Sequence, residues 1–567
     1  MMDPAEILKE AEKFDVVSFD VFDTLLLRPY VQPTDLFRHI ESRFKRRGFA
    51  GERIRAERTA RSKEFEEVTL DEIYEEIDDR FKDLKDSELL LERQVLLPNP
   101  EIRKVFDAVK SSGKRIVLLS DMYLPSVFLS EILKKNGFEG YERLYMSCEY
   151  RKSKHSGELY SLVLKELGIG PGDIVHIGDG DVSDVKRPSK MGIRALRYTK
   201  VIDRYFSEHK REYRYYRRKK SLGRSVTVAV DALHSLKSQK DNFWYELGYR
   251  YGGPVNSAFA TFIERTADKD GVLLFVARDG YNARRAYDIM YGDIENHYIY
   301  AVRTFNILFG INGHDYPGYE DDIAGFFSEH PQVKALGGNT KDLFRDNRQL
   351  FEALMNEELE KYGRYIEKYT GSKEHVYVVD ATTEKFSSQK LIGTASGKKT
   401  TGIYFTLLYS GSDGRAAGFH DGHRAFLSLT SIDLPEFLMT SSEGRIRSID
   451  SSGKPVYFDD DDPAEQYRKY ASGMITAGSD DYAKNLISIF GEYVPSIEYE
   501  AIGEWLRSFW RNMSTDETEN MKAIRWASDP AHSEYHDLIF SMSDAPLLIK
   551  NKFRDYFRSI MNRLRNG

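Results

Sequence analysis

The chain has 567 residues, enough for several hydrophobic cores, and 83 lysines and arginines against 90 aspartates and glutamates give a formal net charge of −7. This balance argues against a dedicated nucleic-acid-binding protein. Cys148 is the single cysteine, which excludes an internal disulfide and zinc sites built on paired cysteines. The chain shows neither a long apolar segment nor a signal-type N-terminus, which predicts a cytoplasmic protein.

From Val16 to about Tyr198, short strand-like runs alternate with amphipathic stretches. The runs are Val16–Phe19, Arg115–Leu119, Leu144–Met146, Ile174–Ile177 and Ala195–Tyr198. Strands separated by helices predict a parallel α/β sheet within a first domain over residues 1–200. The long helical interval at about residues 30–97 predicts a helical cap over the carboxyl end of the first strand.

A basic stretch over residues 201–235 predicts a solvated linker helix, with a docking strip for an anionic partner as the alternative. A second α/β domain is predicted over residues 236–462. Its strand candidates are Val272–Val276, His297–Tyr300, Val376–Val379 and Gly402–Leu407. Residues 463–567 are predicted to be helical, because the four aspartates Asp459–Asp462 precede Pro463 and suit a helix start.

Polar residues end the strands of the first domain. Asp20 follows the first strand in Phe19-Asp20-Val21-Phe22-Asp23-Thr24, and Ser120 ends the second. Lys154 begins a loop that leads into the next helix, and the acidic run Gly178–Asp184 follows the fourth strand. Carboxyl ends of strands are where open α/β sheets place their ligands. In this order the four segments resemble the haloacid dehalogenase superfamily, which includes many Mg²⁺-dependent phosphatases.

The resemblance implies a role for each of these residues. Asp20 would attack phosphorus and form an aspartyl-phosphate, while Ser120 and Lys154 would hold the phosphoryl oxygens. Thr24 would contact the substrate. The implied Mg²⁺ ligands are Asp20, the backbone carbonyl of Phe22, Asp179 and Asp184.

One position departs from the pattern. Phosphatases of this superfamily usually carry a second aspartate two residues after the nucleophile as the general acid, and here that residue is Phe22. Asp23 lies one residue further on, where side-chain alternation would aim it elsewhere. The departure leaves open a slowed, water-assisted or degenerate site.

The second α/β region has its own polar strand ends. One strand leads into Arg278-Asp279-Gly280, the next ends near Arg303, and a later one leads into Asp380 and a loop rich in hydroxyls. This order is similar to type I phosphoribosyltransferases, although the usual second acid and Thr-Gly pair are missing after Asp380. The resemblance implies that Asp380 supports the ribose hydroxyls or a metal. The implied substrate contacts are Arg278, Asp279, Gly280, Arg303, Thr382, Thr383, Ser387 and Ser388.

Together the halves resemble two-domain ribofuranosyltransferases of bacterial surface-polysaccharide pathways. The resemblance implies transfer of 5-phosphoribose from phosphoribosyl pyrophosphate to a glycan acceptor, followed by removal of the 5-phosphate with Mg²⁺. Two alternatives remain: a stand-alone sugar-phosphate phosphatase with a C-terminal binding domain, and a non-catalytic scaffold. The basic, apolar-faced tail Leu547–Arg565 predicts a packed terminal helix, or one that lies on the inner face of the membrane near a lipid-linked acceptor.

Overall fold

The computed structural model describes residues 3–63, 67–237, 242–311, 319–337, 340–383, 385–407, 415–421, 433–458, 462–527 and 535–538. Over these ranges the chain is a mixed α/β protein with two compact units. The first unit comprises Met1–Gln239 and Asn485–Ala501, and the second comprises Lys240–Lys484 and Ile502–Gly567. The predicted tail helix over Leu547–Arg565 lies outside the described residues.

A five-stranded parallel sheet forms the centre of the first unit. The strands of this unit are β1 (Val16–Asp20), β2 (Leu26–Leu27), β3 (Leu97–Pro98), β4 (Arg115–Ser120), β5 (Arg143–Met146), β6 (Ile174–Gly178) and β7 (Arg194–Arg197). The sheet order is β5-β4-β1-β6-β7, with every neighbouring pair parallel. The five predicted strands are confirmed, each to within one residue at either end. Every residue of β1 and β6 is buried, as expected for parallel strands covered on both faces.

The strand order places a crevice beside β1. The chain passes from β1 to β4 on one side and later returns to β6 on the other, so the connections diverge between β1 and β6. Ligands of open α/β sheets bind at such a switch point, outside the carboxyl ends of the strands. Phe19 pairs with Ile177 in the parallel register, which sets Asp20 beside Gly178 at that edge.

The insertion between β1 and β4 is helical, as predicted. Its helices are Asp35–Phe44, Phe49–Arg61, Leu70–Glu75 and Lys85–Val95, with a 3₁₀ turn over Asp79–Leu84 and a further helix, Pro100–Ser111, after β3. The short strands β2 and β3 pair antiparallel and close the base of the insertion. Thr69 and Glu72 form a reciprocal capping box at the start of Leu70–Glu75.

The remaining helices of the first unit surround the sheet. They are Pro4–Ala11, Ser126–Lys135, Ser147–Tyr150, Glu158–Leu167, the π-helix Asp181–Lys186, Arg187–Lys190, Val201–Glu208, Lys210–Arg218 and Leu222–His234. The prediction of a single solvated linker helix over residues 201–235 is wrong, since this segment forms three helices of the first unit. His209 and Lys219 leave the helical region of the backbone and separate them. Leu222–His234 is buried over almost its whole length, because small and apolar residues occupy most of its circumference.

The second unit contains another five-stranded parallel sheet. Its strands are β8 (Val272–Val276), β9 (Glu295–Ile299), β10 (Val376–Thr383), β11 (Thr400–Leu407) and β12 (Ala416–Asp421), in the order β12-β11-β10-β8-β9. The four predicted strands are present, and β12 was not predicted, because its small and polar residues carry a weak strand signal. Here the connections diverge between β8 and β10, which makes the carboxyl ends of these strands the ligand position of this sheet.

Helices and short hairpins complete the second unit. The helices before Pro463 are Phe243–Leu247, the π-helix Gly248–Gly252, Gly253–Thr266, Tyr281–Met290, Arg303–Leu308, Glu320–Phe326, Pro331–Lys334, Thr340–Asp346, Arg348–Thr370, Ser387–Ser396 and Asp433–Met439. The hairpins pair β13 (Ile446–Ile449) with β14 (Pro455–Tyr457), and β15 (Arg525–Ala527) with β16 (Tyr535–Asp537).

The described part of the C-terminal region is mostly helical, as predicted, and also contains the strands β15 and β16, which were not predicted. Its helices are Pro463–Phe490, Tyr499–Arg511 and Thr515–Lys522, with a 3₁₀ turn over Gly491–Tyr493. Asp462 accepts a hydrogen bond from the backbone of Ala464, which confirms the predicted start of the first of these helices at Pro463. Among the described helices, none combines the length and apolar character needed to cross a membrane.

Candidate active site

Asp20 stands at the carboxyl end of β1 with only 6% of its surface exposed. Its Oδ1 accepts a hydrogen bond of 2.5 Å from Nζ of Lys154. Its Oδ2 is buried and has no hydrogen-bond partner among the described residues. Burial raises the pKa of Asp20 well above its ordinary value; Lys154 opposes the rise, and Asp184 and Asp179 add to it by repulsion. The site therefore holds a crowded carboxylate with one buried oxygen that has no hydrogen-bond partner in the described chain.

Lys154 lies between two buried carboxylates. Its Nζ is 2.5 Å from Asp20 and 2.6 Å from Oδ1 of Asp184. Burial lowers the pKa of Lys154, but Asp184 and Asp20 more than compensate and hold it well above its usual value. Asp121 accepts hydrogen bonds from the backbone N–H groups of Lys154 and His155 and so fixes the loop. The ammonium group is thus charged and held beside the Asp20 carboxylate.

Asp184 is held by four groups. Its Oδ2 accepts hydrogen bonds from the backbone of Gly180 at 2.8 Å and from the Ser183 hydroxyl at 3.1 Å. Its Oδ1 contacts Lys154 and, at 3.2 Å, Nε2 of His176. Burial opposes ionisation, but Lys154 and His176 bring the pKa of Asp184 below its ordinary value. This carboxylate is built to stay charged and to position Lys154.

Asp179 follows β6 and has two side-chain partners. The Thr24 hydroxyl donates to Oδ1 at 3.3 Å, and Nζ of Lys200 lies 3.0 Å from Oδ2. Lys200 also contacts Asp23 at 3.0 Å. Burial raises the pKa of Asp179, and Lys200 opposes that rise. The arrangement brings a third carboxylate into the crevice and ties it to the turn after β1.

The three aspartates form a compact set of oxygens. One carboxylate oxygen from each of Asp20, Asp179 and Asp184 lies within 4.8 Å of the other two. Magnesium prefers carboxylate oxygens as ligands, and a divalent cation would relieve the repulsion that raises the pKa of Asp20. Oδ2 of Asp20, buried without a hydrogen-bond partner in the described chain, would gain a partner in such an ion. These residues fit a magnesium site.

The comparisons with known proteins address this same region. Residues 14–187 match the family model described as haloacid dehalogenase-like hydrolase. These residues form a haloacid dehalogenase-like hydrolase domain. A search of curated proteins finds no match to the chain.

Solved structures that resemble the hydrolase domain have low sequence identity. An L-2-haloacid dehalogenase is 17% identical, with a TM-score of 0.25, over 32% of this chain and 84% of that chain. A haloacid dehalogenase family enzyme from Bacteroides thetaiotaomicron, in complex with magnesium and inorganic phosphate, is 15% identical, with a TM-score of 0.24, over 33% and 95%. A protein described as a predicted phosphoglycolate phosphatase from Haemophilus somnus is 15% identical, with a TM-score of 0.24, over 32% and 83%.

Phe22 has a packing role in the hydrolase domain. The guanidinium carbon of Arg28 lies 4.3 Å from the centre of its ring. Arg28 in turn forms a buried ion pair of 2.7 Å with Glu92 of the helical insertion. Phe22 therefore forms a cation–π contact with Arg28, and this contact links the turn after β1 to the helical insertion.

Two other predicted residues take different positions in the site. Ser120 is buried at the end of β4, and its neighbour Leu119 pairs with Asp20 in the register, so Ser120 lies at the same sheet edge. Thr24 is fully buried and its hydroxyl is directed to Asp179. This hydrogen bond positions Asp179, and the contact of Thr24 with substrate stays a prediction.

Residue 178 must be glycine, because the side chains of Asp20 and Asp184 approach its backbone closely. A Cβ atom at this position would lie 2.6 Å from Cβ of Asp184 and 3.0 Å from Cβ of Asp20. We expect Gly178→Ala to displace both side chains and to lower stability by about 1–3 kcal/mol, the usual range for overpacking. Gly172→Ala is the matched control, since a Cβ there meets nothing within 4 Å. Denaturant unfolding of both variants checks this, and equal midpoints would contradict the packing described.

Several site residues were not predicted from the sequence. Lys200 bridges Asp23 and Asp179, and its position shortly after β7, at the same sheet edge, was an available signal. Asp23 was expected to point elsewhere, but its backbone is left-handed, with φ of 59°, and its carboxylate reaches Lys200. His176 supports Asp184, and nothing in the local pattern of a buried strand distinguished it.

In the second unit, three of the predicted residues follow β8, the strand next to β10 at the switch point. They are Arg278, Asp279 and Gly280, and a Cβ on Gly280 would lie 3.3 Å from the carbonyl of Val379 in β10. Asp279 Oδ1 is buried and has no hydrogen-bond partner among the described residues. The turn after β8 therefore packs against β10 at Val379, before that strand ends.

The expected anion-binding loop after Val379 is largely absent. β10 continues through Thr383, with Thr382 paired to Thr406 of β11, so these residues belong to the sheet. The Thr383 hydroxyl accepts the backbone N–H of Phe386. The prediction that Thr382 and Thr383 lie in a free loop is wrong, because their β-branched side chains extend the strand.

The remaining predicted residues lie near the end of β10 or at the start of a helix. Asp380 accepts hydrogen bonds from the backbone of Ala381 at 2.8 Å and from the Ser388 hydroxyl at 2.9 Å. Ser387 opens the helix Ser387–Ser396. Arg303 opens the helix Arg303–Leu308, and its side chain lies outside the described set.

Proposed function

We propose that the hydrolase domain is a Mg²⁺-dependent phosphomonoester hydrolase. The observation that carries this proposal is Asp20, whose Oδ1 is held by Lys154 while Oδ2 faces no partner in the described chain. A buried carboxylate next to a charged lysine, at the switch point of a parallel sheet, suits nucleophilic attack on an anionic substrate.

The chemistry follows from the positions of the side chains. The Asp20 carboxylate attacks phosphorus, the bond from phosphorus to the ester oxygen breaks, and an aspartyl-phosphate forms. The alcohol oxygen leaves with a proton taken from water, because Phe22 supplies none. Lys154 offsets the negative charge of the phosphoryl oxygens beside Asp20, and Ser120 donates a hydrogen bond to them. Water then attacks the aspartyl-phosphate, which releases inorganic phosphate and restores Asp20.

Magnesium would be held by Asp20, Asp179, Asp184 and the backbone carbonyl of Phe22. When bound, it supplies positive charge that stabilises the phosphoryl oxygens. Asp184 stays bound to Lys154 and His176 during the reaction and fixes the ammonium group.

Release of inorganic phosphate from simple phosphomonoesters tests this proposal. We expect activity with Mg²⁺ and its loss after chelation, with recovery when Mg²⁺ is restored. Activity that is unaffected by chelation would contradict the proposed metal requirement.

Because Phe22 cannot donate a proton, we expect the rate of hydrolysis to depend strongly on the leaving group. Since the described turn offers no acid at this position, alkyl leaving groups should depart slowly, and Phe22→Asp should accelerate their hydrolysis by up to about 10²-fold. Phe22→Ala is the control, because it removes the contact with Arg28 without supplying an acid. Rates for an alkyl phosphate check this, and equal rates for the two variants would contradict it.

We infer a second candidate function for the other unit, phosphoribosyl transfer from phosphoribosyl pyrophosphate to a glycan acceptor. Two observations support it: β8 and β10 are neighbours at the switch point of the sheet, and Asp279 Oδ1 is buried without a partner in the described chain. Asp380 and Ser388 lie at the same edge. In this proposal the domains are 1–200, 236–462 and 463–567, and the hydrolase domain removes the 5-phosphate of the transferred group.

The mass of the product tests the second function. Incubation with phosphoribosyl pyrophosphate, Mg²⁺ and a glycan acceptor should give a pentose adduct, and inactivation of Asp20 should leave a pentose-phosphate adduct. Asp380→Ala should stop adduct formation and spare hydrolysis of a simple phosphomonoester. Equal loss of both activities would contradict separate sites.

A further inference from the structure

The first unit contains a cavity of about 260 Å³, and one of its lining residues, Lys200, is paired with Asp179 of the acidic cluster. The lining includes the charged residues Asp23, Arg28 and Lys200 and the apolar residues Phe206, Ala229 and Ala232. Nζ of Lys200 is 3.0 Å from Asp179, whose ligand oxygen lies within 4.8 Å of that of Asp20. Lys200 therefore connects the cavity lining to Asp179 of the acidic cluster, whereas Asp20 itself does not line the cavity.

The far wall comes from helices beyond the matched hydrolase domain. That match ends at residue 187, whereas Phe206 belongs to Val201–Glu208, and Ala229 and Ala232 belong to Leu222–His234. This wall is thus an addition to the hydrolase domain. It is formed by residues 201–235, the segment that the sequence predicted to be a linker.

These helices are fixed firmly to the domain. Arg204 forms a two-pronged ion pair with Glu101, with distances of 2.9 and 3.0 Å. The Ser225 hydroxyl accepts the backbone N–H of Val31 at 2.8 Å and donates to Asp35 at 2.6 Å. A wall held by these contacts, of which those of Ser225 are buried, keeps its shape, which is what discrimination by size requires.

The lining combines polar and apolar residues. Lys200 is paired with Asp23 and Asp179, and Arg28 is paired with Glu92, so these groups offer hydrogen bonds to hydroxyl groups and little unbalanced charge. Phe206, Ala229 and Ala232 provide an apolar face. The volume lies just below the range of about 300–1,000 Å³ that is typical of drug-sized ligands, so the occupant is compact.

We propose that this cavity binds the alcohol portion of a small phosphomonoester, about the size of a monosaccharide, and that the helices Val201–Glu208 and Leu222–His234 set the size limit. The proposal rests on the hydrolase function proposed above. Each ester would place its phosphate at Asp20 and its alcohol between Lys200 and Ala232.

The test compares two esters of primary alcohols, ethyl phosphate and a hexose phosphate esterified at its primary hydroxyl. The full chain should favour the hexose ester in kcat/KM. Ala232→Leu fills the cavity and should lower the ratio of hexose to ethyl ester by at least about tenfold, the scale of misfit in a pocket. Val230→Ile adds volume on the same helix at a residue that does not line the cavity, and should leave the ratio unchanged.

An unchanged ratio in a folded Ala232→Leu protein would overturn the proposal. If that variant does not fold, Phe206→Ala is the second test. Phe206 is half-buried, so its ring can be removed without overpacking. Loss of the apolar contact between this ring and the hexose should lower the same ratio. Hydrolysis of a phosphoserine peptide that equals that of the hexose ester and is insensitive to Ala232→Leu would also overturn it. If the full chain hydrolyses neither ester, the hydrolase function itself fails, and the cavity assignment fails with it.

Discussion

Asp20→Asn should abolish phosphate release, with kcat lower by about 10⁴-fold or more, the scale seen when a nucleophile is removed. The fold should remain intact, because the amide keeps the shape of the carboxylate. Asp184 and Asp179 repel the charge on Asp20, so its removal relieves part of the cost of burial. Thermal unfolding should therefore occur at an equal or higher temperature.

Asp181→Asn is the matched control for this variant. Asp181 lies in the same acidic run after β6, but it is exposed and contacts Arg197 at 2.9 Å instead of the cluster. It should keep nearly full activity. Comparable phosphate release from Asp20→Asn and Asp181→Asn would contradict the role assigned to Asp20.

Lys154→Met should lower the stability of the first unit and abolish phosphate release. It leaves the carboxylates of Asp20 and Asp184 buried without the cation between them, and removing one member of a buried ion pair typically costs about 3–5 kcal/mol. Denaturant unfolding measures this loss. Lys152→Met, at a half-buried lysine two residues earlier, should change stability little.

A second substitution separates charge from packing. Lys154→Met combined with Asp184→Asn removes one positive and one negative group, and should recover much of the stability lost in the single variant. Activity should stay absent, because the phosphoryl group still lacks its cation. A double variant no more stable than Lys154→Met would contradict the electrostatic account of this cluster.

The sheet of the hydrolase domain was predictable, because its strands are short apolar runs between polar helices. Asp20, Lys154 and Asp179 were predictable for a related reason. Each lies at the end of a strand or in a loop that leads into a helix. Parallel strands bring their carboxyl ends to the same edge of the sheet. Local pattern and topology together were enough to place these three residues in one crevice.

Contacts between distant segments were not predictable in this way. Thr24 turns inward because the chain after β1 folds back on itself, and its hydroxyl reaches Asp179, 155 residues further along the chain. The many charges of residues 210–220 favoured an exposed helix, although the side chains of Tyr215 and Tyr216 are buried. In the second unit, Thr382 and Thr383 suited both a phosphate loop and a strand, and pairing with β11 decided between them.

The covalent intermediate on Asp20 tests the central claim most directly. The full chain is mixed with a phosphomonoester labelled in its phosphoryl group, the reaction is quenched with acid within one turnover, and the labelled peptide is identified. We predict label on Asp20, lost on treatment with hydroxylamine as expected of an acyl phosphate, and no label in Asp20→Asn. Release of labelled phosphate with no label on the protein at any time before the first turnover ends would contradict the account.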